Sequence, residues 1–211
     1  DNTIKLLFTP DGASNDFEYH KELAKLGVKH IVLDHHLYDK TVETPSIIIN
    51  NNCDTVKNKN GSGCLVTYKF IYYVAYREKM NLEDKYCDLV YISIIGDMMD
   101  MTSLENRYFS NTYQNIEHIS NPLIQEFCKD LKRKNTLTIE NISYGISNRM
   151  NSIIRMGTDY DKDDLFNALL GSEEMVEYTY RGQTKVRTLQ QDVIRKGDNL
   201  KRKQKEATKK S

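Results

Sequence analysis

No tryptophan, three prolines and no net charge are the first things missing from this chain. So few prolines leave room for long uninterrupted helices, and the balance of 30 Lys+Arg against 30 Asp+Glu provides no global field to attract nucleic acid or an anionic membrane. No apolar run approaches the ~20 residues that span a bilayer, and no charged-then-apolar leader opens the sequence, so neither a membrane partner nor secretion is expected. Cys53, Cys64, Cys87 and Cys128 form no C-x-x-C pair, which signals neither a zinc knuckle nor a disulfide framework. A reducing, cytoplasmic setting is the simplest expectation. What is there is 211 residues, 39% of them hydrophobic, enough for a real core. One end differs from the average: from Arg195 to Ser211, eight Lys or Arg face only Asp198 and Glu206.

The pattern then turns to strands and helices. Ile4 to Phe8 reads as a buried strand, followed by the turn chemistry Pro10-Asp11-Gly12-Ala13-Ser14-Asn15-Asp16. Asn15 or Asp16 caps a helix through His20, Leu23, Ala24 and Leu26, which Gly27 closes. His30 to Leu33 is the next strand, and a βαβ unit with a right-handed crossover makes the two strands parallel neighbours. The run Ile31-Val32-Leu33 stops abruptly in Asp34-His35-His36, so a carboxylate and two imidazoles fall at the carboxyl edge where open α/β sheets bind ligands. Asp11 falls on that same edge. Asp oxygen with His nitrogen suits Mn²⁺, Zn²⁺ or Fe²⁺ better than Ca²⁺, and three adjacent side chains cannot all face one ion. One imidazole then ligates while its neighbours orient it or touch substrate.

Ser46 to Ile49 is a third strand, and a polar loop carries the chain to Gly61-Ser62-Gly63, which opens a long apolar helix. Amides at such a helix start can receive a phosphate, and Ser62 and Gly63 are candidate substrate contacts. Helices are expected over Glu83 to Gly96, Tyr108 to Ile119, Leu123 to Lys132 and Ile139 to Ile154, with the acidic cluster Asp159, Asp161, Asp163 and Asp164 starting another. From Thr184 on, the chain reads as a long, exposed, charged helix, weakened at Gly197.

Asp11 in a Pro-Asp-Gly turn, Asp34-His35-His36, Gly61-Ser62-Gly63, Gly96-Asp97 with Leu104-Glu105-Asn106-Arg107, and Asn151 through Gly157 occur in the order found in DHH phosphoesterases. Over roughly residues 4 to 170 the chain most resembles the RecJ-type single-strand-specific exonucleases. The resemblance implies a parallel, Rossmann-like sheet with flanking helices, a mostly helical second half and a long C-terminal connector helix. It implies a DHH domain over 1–180 and a connector over 181–211. It also implies two Mn²⁺ or Mg²⁺ ions: Asp11 shared between them, His35 and Asp97 on one, Asp34 orienting the imidazole, His36 facing the scissile phosphate.

A metal pair ~3.5 to 4 Å apart generates hydroxide at neutral pH and answers the charge gathering on a phosphodiester, which explains those residue types. Arg107 and Arg155 are candidate bidentate phosphate clamps, and Asn151 belongs to the same substrate-binding set. The Asp-x-Asp motif that precedes Asp11 in the family, and its C-terminal Gly-Gly-His, are not seen. The expectation is therefore the central part of a viral or mobile-element RecJ-like nuclease, inactive or weakly active by itself. Asp97 to Arg107 is one residue longer than the usual RecJ spacing, which leaves Asp100 without a role. The expected activity is exonucleolytic hydrolysis of single-stranded DNA, of the kind used in repair and recombination. The alternatives are a phosphoesterase of short oligonucleotides or cyclic dinucleotides, and a catalytically silent nucleic-acid-binding scaffold.

Overall fold

The structure, a computed structural model, describes residues 4–82, 84–133 and 135–208. Its contacts divide the chain into two compact units, Asp1–Ser110 and Asn111–Ser211. The expected domain boundary at 180/181 falls in the turn of a hairpin inside the second unit.

The first unit is built on a parallel sheet, β1 (Leu6–Pro10), β2 (Lys29–Asp34) and β3 (Ile47–Asn50), in that order. Between β1 and β2 runs α1 (Phe17–Lys25), closed by Gly27 at φ 72°, a left-handed position that glycine takes without steric cost. β2 is the central strand, and Val32 and Leu33 are buried. β1 corrects the expectation of a buried strand over Ile4 to Phe8. It begins at Leu6, and Leu6, Leu7 and Phe8 stay exposed, because among the described residues β1 has a strand neighbour, β2, on one side alone.

Helix α2 (Gly63–Arg77) packs on the sheet, with Phe70 against Phe8 at 5.7 Å between ring centroids. Helix α3 (Cys87–Gly96) is apolar on every side and accordingly buried, with Val90, Tyr91, Ile92, Ile94 and Ile95 in the core. The expected helix start at Glu83 lies outside the described residues. Helix α4 (Leu104–Tyr113) follows, starting four residues earlier than the periodicity suggests.

The second unit holds α5 (Pro122–Asp130), a π-helical segment (Asn141–Ser147) running into α6 (Asn148–Met156), α7 (Asp159–Leu169) and α8 (Leu189–Thr208). Asn121 caps α5 through its side-chain oxygen, with Pro122 at the first helical position. Thr158 and Asp161 form a reciprocal capping box on α7, the role expected for the acidic cluster.

The C-terminal part departs from expectation in two ways. Thr184 to Thr188 is not helix: β4 (Met175–Tyr180) and β5 (Gln183–Thr188) form an antiparallel hairpin, favoured by the β-branched and aromatic alternation. Helix α8 is also not simply exposed, for Leu189, Val193 and Ile194 are buried where it packs on α5, α6 and α7. Gly197 is the means rather than a weakness: a Cβ there would lie 2.9 Å from that of Arg149, so its absence lets α8 approach α6. Among the described residues no helix is long and apolar enough to cross a membrane.

Candidate metal centre at the sheet edge

Parallel strands bring their carboxyl ends to one edge, and here each end carries polar residues. Asp11 follows β1 directly, Asp34 closes β2 with His35 and His36 beyond it, and Asn50 closes β3 opposite Asp34. The Asp11 backbone N–H donates to Leu33 O at 2.8 Å, and its φ of 59° turns the chain sharply out of the sheet. Asp, with Asn, is among the few side-chain-bearing residues that take this left-handed region readily. The result is convergence: ligand atoms of Asp11, Asp34, His35 and His36 all lie within 4.8 Å of one another.

Each member has a distinct setting. His35 Nε2 lies 3.2 Å from Asp11 Oδ1, with the imidazole largely covered and the carboxylate half open. Asp34 is buried, and its Oδ1 accepts the backbone N–H of His35 at 2.7 Å and of His36 at 3.3 Å, while Oδ2 accepts Ser14 N–H at 3.3 Å. His36 Nδ1 stands 2.7 Å from Asp34 Oδ1, so the ring Asp34 holds is that of His36. Burial alone would raise the Asp34 carboxyl; the bonds from Ser14, His36 and the two amides outweigh it and keep Asp34 below the usual carboxylate range. The same bond raises His36 above the ordinary histidine value, against partial burial.

Asp97, at the end of α3, is close enough for its carboxyl to feel Asp11, His35 and His36. Desolvation and then the Asp11 charge push it up. The residue as a whole remains accessible at the end of α3. Carboxylates pressed together beside imidazoles are short of positive charge, and a divalent cation supplies it. The oxygen and nitrogen donors suit Mn²⁺ or Mg²⁺ with water. Burial pushes the Cys64 thiol to about 11, helped by Asp97, Asp11 and Asp88.

The remaining expected residues divide. Gly63 is buried against Asp11, and a Cβ there would fall 2.2 Å from Asp11 Oδ1, so the start of α2 must be bare for the carboxylate to sit where it does. Ser62 does not offer its side chain to a substrate. Its hydroxyl is fully buried, caps α2 by accepting Leu65 N–H at 3.3 Å, and pairs with Ser93 at 2.7 Å. Arg107 is exposed on α4 and forms no ion pair among the described residues; Glu105 instead takes Lys69 at 2.7 Å and Asn58 at 2.8 Å. Asn151 and Arg155 are exposed on α6 of the second unit. Asp100 shapes a turn, its carboxylate accepting Thr102 N–H at 2.8 Å.

Sequence reasoning missed an amide scaffold. Buried Asn50 donates to Ser14 Oγ and to His36 O, and Asn52 donates to His35 O at 2.7 Å, so two asparagines fix the backbone of the histidine corner. Buried Asn106 donates to Asn60 O and Asp100 O, both at 2.7 Å. The Asn50-Asn51-Asn52 run at a strand end on the metal-bearing edge was the available signal.

Residues 2–94 match the DHH family, N-terminal domain. This stretch of the chain is a DHH-type N-terminal domain. Two relatives of this chain bear the name single-strand DNA-specific exonuclease YorK, one from the SPbeta prophage of Bacillus subtilis (strain 168), the other from Bacillus phage SPbeta. Each is 34% identical over 206 residues, covering 96% of this chain and 35% of its own length. The chain thus spans about a third of those relatives. Its fold matches the crystal structure of exonuclease RecJ bound to manganese with a TM-score of 0.76 at 17% identity, over 95% of this chain and 47% of that one. It matches RecJ from Thermus thermophilus in complex with Mn²⁺ at 0.73 and 18% identity, over 95% and 28%.

Proposed function

We propose that this chain provides the hydrolytic centre of a metal-dependent, RecJ-like exonuclease acting on single-stranded DNA. The observation that carries the reading is the meeting of Asp11, Asp34, His35 and His36 at one sheet edge, with Asp97 in electrostatic reach. Two relatives named as single-strand DNA-specific exonucleases and a fold shared with manganese-bound RecJ support it.

Bound Mn²⁺ or Mg²⁺ supplies a hydroxide at neutral pH and counters charge on the non-bridging oxygens. Asp11, His35 and Asp97 are the residues that would hold an ion: an open carboxylate, an imidazole beside it and a second carboxylate raised by burial and then by the first. A second ion needs further carboxylates, which the family's Asp-x-Asp would provide. His36 has the geometry of a phosphate donor. Its Nδ1 is engaged by buried Asp34, which favours the imidazolium and leaves the exposed Nε2–H to meet a non-bridging oxygen or the departing alkoxide. Asn50 and Asn52 hold the corner in place while this happens.

Titration calorimetry with Mn²⁺ on the chain and on its His35→Ala and Asp11→Ala variants tests the site. Binding lost in both supports the reading; unchanged binding in both removes it. Release of mononucleotides from an end-labelled single strand by the longer protein, against hydrolysis of a dinucleotide alone, separates the exonuclease from a short-oligonucleotide phosphoesterase.

A further inference from the structure

The β4–β5 hairpin lies in the second unit and supplies none of the residues assigned to the hydrolytic centre. Its contacts are with α8. A two-stranded hairpin is marginal alone, so both the face it lays toward α8 and what that face leaves open near the turn are informative. The register sets Tyr178 opposite Lys185, Tyr180 opposite Gln183 and Val176 opposite Arg187, which places these side chains on one face. The hairpin's carboxylate, Glu177, pairs with Val186 on the other face.

That face is a ladder of cations and tyrosines. The Arg187 guanidinium lies 4.0 Å from the Tyr178 ring centroid and 2.6 Å from Asp192, largely covered, so this pair acts as an anchor. Arg195 of α8 comes within 5.8 Å of the same ring. Tyr180 is 44% exposed and is flanked by Lys185 at 5.1 Å and Arg181 at 5.2 Å. Arg181, Lys185 and Arg195 are exposed and have no ion pair among the described residues. Arg181 also breaks a local rule. With Gly182 it forms the two-residue turn, at φ 51° and 77°, and Asn or Gly takes the first of these positions with less strain than Arg. A strained cation at the tip of a basic, aromatic ribbon is the kind of inconsistency that marks a functional surface.

We propose that this face docks single-stranded DNA, with Tyr180 stacking on a base and Arg181, Lys185 and Arg195 meeting the phosphates. Unpaired cations complement a polyanion, and an open tyrosine ring needs a base whose face is free, which a duplex withholds. The choice of DNA rests on the proposed nuclease function; the platform itself is independent of the metal centre.

Fluorescence anisotropy of labelled oligo-dT with the 211-residue chain, in EDTA, tests it. Tyr180→Thr weakens binding on the order of tenfold while Tyr180→Phe does not, as base stacking requires. Lys185→Gln weakens binding and lowers the salt slope by about 0.7, one phosphate contact on a single strand. Arg181→Asn weakens binding without lowering the melting temperature, since Asn suits the turn better, and this separates docking from folding. Affinity unchanged in all of these variants overturns the proposal. So does duplex bound as tightly as single strand, or loss on removing cations with none on Tyr180→Thr, which would reduce the face to a generic polyanion patch. Hydrolysis of a small chromogenic phosphodiester by the longer protein with Mn²⁺ reports on the metal centre separately and is unchanged in the hairpin variants. Failure there with docking as expected would sink the hydrolytic reading alone.

Discussion

The two units of this chain keep their interiors in opposite ways. The first buries Ser14, His20, His30, Asp34, Ser46, Asn50, Asn51 and Asn106 among its apolar residues, and nearly all of them bond to backbone or to one another at the ends of three strands. The second packs Leu123, Ile124, Phe127, Ile142, Ile146, Ile153 and Val193 into an apolar core and ties its buried carboxylate, Asp192, into ion pairs with Arg187 and Lys196. Buried amides are costly unless satisfied, and here they place backbone rather than fill space. The lesson is that a site built on strand ends takes its rigidity from hydrogen bonds that an apolar core cannot supply.

The largest expected effect falls on the metal-bearing edge. In the longer protein, Asp11→Ala or His35→Ala lowers phosphodiester hydrolysis by about a thousandfold or more, while the circular dichroism of either unit stays unchanged. Gly63→Ala follows: with its Cβ 2.2 Å from Asp11 Oδ1 the carboxylate must move, and Mn²⁺ affinity measured by calorimetry falls by roughly 10- to 100-fold. Asn106→Ala removes a fully buried amide and its two part-buried bonds to the Asn60 and Asp100 carbonyls, so denaturant titration shows a loss of about 1–3 kcal/mol confined to the first unit by hydrogen exchange.

How much of this was legible in the sequence follows the same division. The parallel βαβ unit, the strand-end Asp11 and Asp34-His35-His36, and the bare helix start at Gly63 are all readable, because strand ends, turn residues and glycines obey local rules. The partners of those residues were not. Which imidazole Asp34 holds depends on how the corner folds back, and Asn50, Asn52 and Asn106 act through carbonyls far away in sequence. The hairpin escaped because Thr184 to Thr188 lies in a charged run that also suits a helix, and only pairing with Met175 to Tyr180 decides it.

Acid gives a subtler test of the contrast. His30 is buried between Thr9 and Ser46, and burial, then proximity to His20, hold it below the ordinary histidine value. The unfolded chain therefore takes up that proton first, so the His30 contribution is intact above about pH 6.5 and is lost as pH falls. His36 has the opposite sign: raised by Asp34, it stabilises below about pH 6.5 and fades as pH rises through its folded value. Hydrogen exchange without metal at pH 7 and pH 5.5 should find the first unit less acid-sensitive in His30→Gln and more so in His36→Gln. The second unit should be indifferent to both. The smallest effect belongs to Lys196→Met, which removes a half-buried cation from Asp161, Asp164 and buried Asp192, the last still held by Arg187, and shifts the second unit by about 1 kcal/mol.

The π-helical stretch from Asn141 to Ser147 sets a rule about chain length. A π turn closes its hydrogen bonds one residue further along than an α turn, so the segment carries surplus residues in the same helical column. Deleting one residue there would let the column tighten into ordinary α-helix with Ile153 still facing inward, whereas the same deletion within α6 would rotate Ile153 out of the core. Length variation among kindred sequences should therefore gather at the wide turn and spare the helix that follows it.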